Sequence, residues 1–157
     1  MPQAPKVTIF SKSETEEFLK SQRVGVLSLA DNEGSYAVPL AYTYDDGVIY
    51  LTLGPGGRKS TYVKANKKAC FVVYSLPKGL GGPGMMNFKS AILDGTIEQI
   101  TDADALRKAA RTFEKNVGMP EGTMNPRIEK ILQNPASSTF WKFAVTNFGG
   151  KAVEEEF

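Results

Sequence analysis

The sequence predicts a small, mainly β protein, an antiparallel barrel with a few peripheral helices. Six or so short runs rich in Val, Ile, Leu, Tyr and Thr are separated by turn residues at hairpin spacing. The helical patterns are few and lie between or after the strands. The chain has 157 residues, which fits one domain with one core. Closure follows because an open sheet of short strands leaves edges that invite wrong pairing, and a barrel removes them.

Residues 1–12 read as an N-terminal arm, and Ser13-Glu14-Thr15-Glu16 has the capping-box form, which predicts a short helix over 13–21. Val24, Val26, Leu27 and Leu29 make the first strand of a hairpin. Asp31-Asn32-Glu33-Gly34 supplies its turn and Tyr36 to Tyr42 its return. Asp46-Gly47 turns the chain again into Val48-Ile49-Tyr50-Leu51-Thr52-Leu53, where Gly takes the positive φ of a tight turn. Gly54-Pro55-Gly56-Gly57 breaks the sheet before a short helix over 58–66 and a strand over 69–75. The glycine-rich stretch within 78–87 reads as a long connection or a lid, and a strand over 88–99 follows. Asp102 or Thr101 caps the clearest helix, in which Leu106, Ala109, Ala110, Phe113 and Val117 share a face and Gly118 ends it. Asn125-Pro126 opens another helix to about Gln133, and the last strand is expected from Ser138 to Thr146, ahead of a polar acidic tail at 150–157.

Composition removes much common chemistry. With no histidine, His-dependent triads, His general bases and His-ligated zinc are excluded, and no metal site is expected. Cys70 has no partner for a disulfide, and its apolar setting in Ala69-Cys70-Phe71-Val72-Val73-Tyr74 predicts an inert thiol on a buried strand. The net charge of +2 speaks against nucleic acid, although Tyr36, Tyr42, Tyr44 and Tyr50 could offer a stacking platform to an oligonucleotide if exposed. No apolar stretch has membrane-spanning length, and Met1-Pro2-Gln3-Ala4-Pro5-Lys6 is not followed by a signal-peptide core, so a cytoplasmic location is expected.

The segment from Gly54 to Thr61 resembles a phosphate-binding P-loop only superficially, because neither required glycine stands at its position. It still joins permissive glycines, two adjacent cations, two hydroxyls and a helix N-terminus, which together suit an anion. A solvated loop with two surface cations accounts for the same residues. Asp31, Asp45, Asp46 and Asp94 sit at turns or strand ends and do not make a catalytic dyad, and no catalytic residue is assigned. The glycines at 79–84 lack the strand–helix context of a dinucleotide site.

A hairpin strand, the strand Val38-Pro39-Leu40-Ala41, the Asp46-Gly47 turn, the strand Tyr50-Leu51-Thr52-Leu53 and the helix start Gly57-Arg58-Lys59 follow in that order. That order resembles the pyridoxamine 5′-phosphate oxidase-like superfamily of FMN-binding split barrels, in its general flavin-nucleotide-binding and nitroimidazole-reductase-like branch. The resemblance covers about residues 13–100 and, more weakly, the final strand. It implies an antiparallel split β-barrel of Greek-key type and a homodimer. By it, Arg58, Lys59 and Ser60 hold the FMN phosphate, and the flavin ring lies along Val38, Pro39, Leu40 and Ala41 with Thr52 and Leu53 beside it. Phe88-Lys89-Ser90-Ala91-Ile92-Leu93-Asp94-Gly95 is similar to the family strand whose residues reach the neighbouring subunit's flavin, which assigns Lys89 and Ser90 that role.

Phe140-Trp141 is similar to the oxidase's Phe-Trp strand, but the Arg-Leu-His-Asp-Arg stretch that binds pyridoxal phosphate is absent, and so is the histidine that nitroimidazole-reductase relatives often carry near Thr52. The resemblance therefore implies an FMN-dependent oxidoreductase acting on an unassigned small substrate. The deazaflavin coenzyme F420 on the same fold is an alternative, as is a non-catalytic flavin or haem carrier.

Overall fold

The computed structural model describes residues 4–76, 84 and 86–155. The strands are β1 (Lys6–Ile9), β2 (Val24–Ala30), β3 (Ser35–Asp45), β4 (Val48–Thr52), β5 (Lys68–Ser75), β6 (Phe88–Gln99) and β7 (Phe140–Glu154). The helices are α1 (Lys12–Ser21), α2 (Arg58–Ala65), α3 (Ala103–Val117) and α4 (Asn125–Gln133).

The strands form one antiparallel sheet in the order β1-β7-β4-β3-β2-β5-β6, and pairing of β6 with β7 closes six of them into a ring. β2, β3 and β4 are a meander, and β5 returns through α2 to lie beside β2, which is the Greek-key order. The fold is the split barrel that the sequence implies. Asp46 and Gly47 both take positive φ, 42° and 78°, as a tight hairpin between β3 and β4 requires.

Inward-facing side chains such as Leu27, Tyr42, Ile49, Phe71, Leu93 and Phe143 fill the ring. A second core lies outside it, where Leu106, Ala109 and Ala110 of α3 and Ile128 and Ile131 of α4 pack with Tyr50 and Phe140. α3 is capped by the Asp102 side chain and ends at left-handed Gly118, as the sequence predicts.

Several expectations need correction. The capping box is Ser11 with Glu14, not Ser13 with Glu16: Ser11 Oγ accepts from the Glu14 amide at 3.1 Å and Glu14 accepts from the Ser11 amide at 3.0 Å. The earlier start also gives the buried Thr15 hydroxyl a partner, the Ser11 carbonyl, at 2.9 Å. The last strand does not end at Thr146: β7 continues to Glu154 and offers an edge to each of two neighbours, so that Lys6 to Ile9 of the arm pair with Lys151 to Glu154. Cys70 is half-buried, since it faces outward beside Ser28 and Asp94 while Phe71 points into the barrel; burial and the Asp94 charge both push its thiol pKa up. Tyr42, Tyr44 and Tyr50 are buried, with the Tyr42 hydroxyl donating to the Leu19 carbonyl at 2.6 Å, so they form no stacking platform. The glycine-rich stretch at 78–87 lies largely outside the described residues.

Candidate functional site

The site begins with an asymmetry in β3. Residues 35–41 pair with β2, and only residues 42–45 pair with β4. The other edge of the first half therefore has no partner strand among the described residues. The Tyr42 amide donates to the Arg23 carbonyl on the β2 side, which directs the backbone groups of Ala37, Pro39 and Ala41 to the open edge. A proline is tolerated mid-strand here because its missing N–H would have faced that edge. Val38 and Leu40 are half-buried against the core, while Pro39 and Ala41 are exposed.

β4 ends at exposed Thr52, one step beyond the Tyr42–Leu51 pair and so level with Ala41. Leu53 is a core residue whose backbone is already engaged: its amide donates to the Thr139 carbonyl at 2.8 Å, and its carbonyl accepts from the indole of buried Trp141 at 3.3 Å. The chain then reaches Gly57, whose φ of 84° and ψ of −171° favour glycine, and enters α2 with no side-chain cap. The Ser60 amide donates to the Gly57 carbonyl at 3.1 Å. The Arg58 and Lys59 amides and both cations remain for an anion, with no acidic residue in the turn to compete.

Arg58 is exposed but not unsupported. Its guanidinium lies 4.8 Å from the Tyr36 ring centre and 5.7 Å from that of Tyr62, and the two rings stack at 5.7 Å and 16°. Sequence reasoning missed both tyrosines. Tyr62 was recoverable as the i+4 neighbour of Arg58 on a predicted helix; Tyr36, from a different strand, carried no such signal.

The structure sets an opening along β3: Pro39 and Ala41 lie on its unpaired edge, Thr52 is level with Ala41, and Arg58, followed by Lys59 and Ser60 in α2, stacks on Tyr36 of the same strand. It does not bring Lys89 or Ser90 there. Exposed Lys89 and buried Ser90 lie on β6, which β2 and β5 separate from β3. Between the two places runs an outward row of register neighbours, Pro39, Val26, Val72 and Ile92, with Val24 and Tyr74 beside it. Val24, Tyr74 and Ile92 are each more than half exposed, at 58%, 56% and 51%. Among the described residues no helix is long and apolar enough to cross a membrane.

The model of a protein family described as pyridoxamine 5′-phosphate oxidase matches residues 11–152. No curated protein matches the chain. Among solved structures, a Bacteroides thetaiotaomicron protein named for 5-nitroimidazole antibiotic resistance is 21% identical with a TM-score of 0.76, over 98% of this chain and 91% of its own. An FAD-binding protein of Mesorhizobium loti is 22% identical with a TM-score of 0.68, over 97% of this chain and 100% of its own. An FAD-binding protein of Mycobacterium smegmatis is 15% identical with a TM-score of 0.67, over 96% of this chain and 99% of its own. At these identities the likeness is one of fold.

Proposed function

The chain belongs to the pyridoxamine 5′-phosphate oxidase family, and from that footing we propose that it is a homodimeric flavoprotein that binds FMN and transfers hydride or electrons to a small substrate. The observation that carries the reading is the pairing of an uncapped helix start, with Arg58 held against Tyr36 and Tyr62, and the unpaired edge of the strand that carries Tyr36. The residues suit the cofactor's two ends. The α2 amides, Arg58, Lys59 and Ser60 receive a phosphate dianion, and the free backbone groups of Ala37, Pro39 and Ala41 meet the polar edge of a ring, with Thr52 beside it. The chemistry supplied by a bound flavin is hydride or electron transfer, which needs no side-chain acid or base, so a chain without histidine can support it.

The dimer is inferred from two features. Lys89 and Ser90 cannot reach the opening of their own chain across two intervening strands. The apolar row from Pro39 to Ile92 needs a cover, and a second copy laid on it brings another β6 toward the β3 edge. Oxidation of pyridoxamine 5′-phosphate is not the proposed reaction, because the Arg-Leu-His-Asp-Arg stretch is absent.

The test is titration of purified protein with FMN, riboflavin and F420, followed by absorbance and fluorescence. Saturable FMN binding near one per chain supports the reading; preferential F420 binding transfers it to the deazaflavin, and no spectral change with any of the three overturns it. Turnover with a reduced nicotinamide donor then separates enzyme from carrier.

A further inference from the structure

A cavity of about 90 Å³ lies between α3 and the outer surface of β3 and β4, with Ala41, Thr43, Tyr50, Thr52, Ala109 and Phe113 among its walls. The lining is mostly carbon. Arg23 is the only residue of that lining with a charged side chain, and its guanidinium is engaged by the Asn116 carbonyl at 3.0 Å. The exception in character is Thr43. It is 5% exposed, and its hydroxyl is the one buried side-chain oxygen or nitrogen without a hydrogen-bond partner among the described residues. A valine would fill the same volume without stranding a polar atom, so the hydroxyl has no packing reason to be there.

We propose that this cavity binds a small, uncharged, largely apolar molecule of about one ring, whose single polar atom bonds the Thr43 hydroxyl. Volume sets the size: a dry apolar cavity of about 150 Å³ takes up benzene, so one of about 90 Å³ holds no more than a single small ring or a short branched chain. Chemistry sets the class. A charged ligand would lose its hydration against these walls, and the one charge among them, Arg23, is exposed to water, where screening leaves it a weak counter-charge. Ala41 and Thr52 belong both to this cavity and to the opening described above, so the molecule held here is placed as the substrate beside the flavin. That role, unlike the binding, rests on the flavin reading.

The probes are phenol, toluene and benzoate, added to protein with and without FMN while the Ala41, Thr43 and Ala109 methyl resonances are followed by NMR. Phenol and toluene are expected to shift these methyls, and benzoate is not. Thr43→Val should weaken phenol by roughly three- to tenfold and leave toluene unchanged. Ala109→Met should abolish both while FMN binding persists; if that variant fails to fold, the isosteric Thr43→Val still decides. Failure of phenol and toluene to shift the methyls of folded protein at millimolar concentration overturns the proposal, as does equal loss of phenol and toluene in Thr43→Val. Phenol binding in a protein that ignores FMN upholds the cavity and overturns only the flavin reading. Loss of phenol on FMN saturation removes the substrate role.

Discussion

Two flanks of the barrel handle their polar groups in opposite ways. On the α3–α4 flank, the strong groups that bound α3 and the loop after it are used within the chain. The Asp102 carboxylate accepts the Ala105 amide at 2.9 Å, and Gly118 closes the helix. Buried Glu114 pairs with Arg111 at 3.0 Å and accepts the amides of Gly122 and Met124 at 3.0 and 2.6 Å, tying the loop between the helices to α3. At the β3–α2 opening the reverse holds: α2 has no side-chain cap, two cations start it, and seven residues of β3, 35–41, have an edge with no partner strand among the described residues. The same chain that completes one flank leaves donors and charge unused at the other. Unspent hydrogen-bonding capacity is what locates the ligand, more directly than any single residue type.

The closed side of the molecule breaks hardest at Gly95. It sits at the bulge of β6 against β7, and a Cβ there would strike the Ala144 carbonyl and lie 2.8 Å from the Phe143 ring. Backbone on both strands would have to move, so Gly95→Ala should cost on the order of 3 kcal/mol and lower Tm by ~6–12 °C. Gly54, at the open side, has nothing within 4 Å of such a Cβ, and Gly54→Ala should stay within about 0.5 kcal/mol of wild type. Thermal unfolding of the two variants side by side checks the contrast, and equal losses would erase it.

At the open side the large effect is on binding. Arg58→Ala should leave Tm nearly unchanged, because the side chain is exposed, and weaken FMN by roughly ten- to a hundredfold. Riboflavin, which lacks the phosphate, should change far less. Isothermal titration with both ligands makes the comparison, and equal losses would remove Arg58 from the phosphate seat.

A pH experiment sharpens the contrast from the closed flank. Burial pushes the Glu114 carboxyl up, but the amides of Met124 and Gly122 together with Arg111 outweigh it, and the group titrates below its ordinary value of 4.5. A carboxylate lowered on folding stabilises the native state above the unfolded pKa and loses that contribution as pH falls through the folded one. The Tm of wild type should therefore fall more steeply than that of Glu114→Gln below about pH 4.5. At pH 7 the variant should be the less stable, and FMN affinity should not differ.

What the sequence made legible follows the same division. Local signals located elements well: Asp46-Gly47 turned a hairpin, Asp102 and Gly118 bounded α3, and Asn125-Pro126 opened α4. The capping box was placed two residues late because Ser13 with Glu16 fits the same pattern that Ser11 with Glu14 forms in the fold, where Thr15, Phe18 and Leu19 are buried. The extent of β7 was hidden because Gly149-Gly150 reads as a stop; Gly150 is needed there since Thr15 and Phe10 leave no room for a side chain. At the site, the glycines and the Arg58-Lys59 pair were adjacent in sequence and therefore visible. Tyr36 against Arg58, Thr43 under α3 and the row from Pro39 to Ile92 are made by strand register, to which a linear reading has little access.

The smallest expected effect tests whether the open side is merely unfilled or is also shaped. Arg58 is exposed, so an unsupported guanidinium would sample many directions and lose rotamer entropy on meeting a phosphate. Stacked on Tyr36 at 4.8 Å and close to Tyr62, it is held before any ligand arrives. Exposed cation–π contacts are weak, so Tyr36→Leu should cost roughly two- to fivefold in FMN affinity. Tyr36→Phe keeps the ring and should restore it. The Tyr62 hydroxyl lies 3.5 Å from the Arg58 guanidinium, at the limit of a hydrogen bond, and Tyr62→Phe should change little. The decisive reading is the ratio of FMN to riboflavin affinity. A positioning role lowers that ratio in Tyr36→Leu and not in Tyr36→Phe, whereas a loss shared by both ligands, or by both variants, would assign Tyr36 to packing and leave Arg58 to find the phosphate unaided.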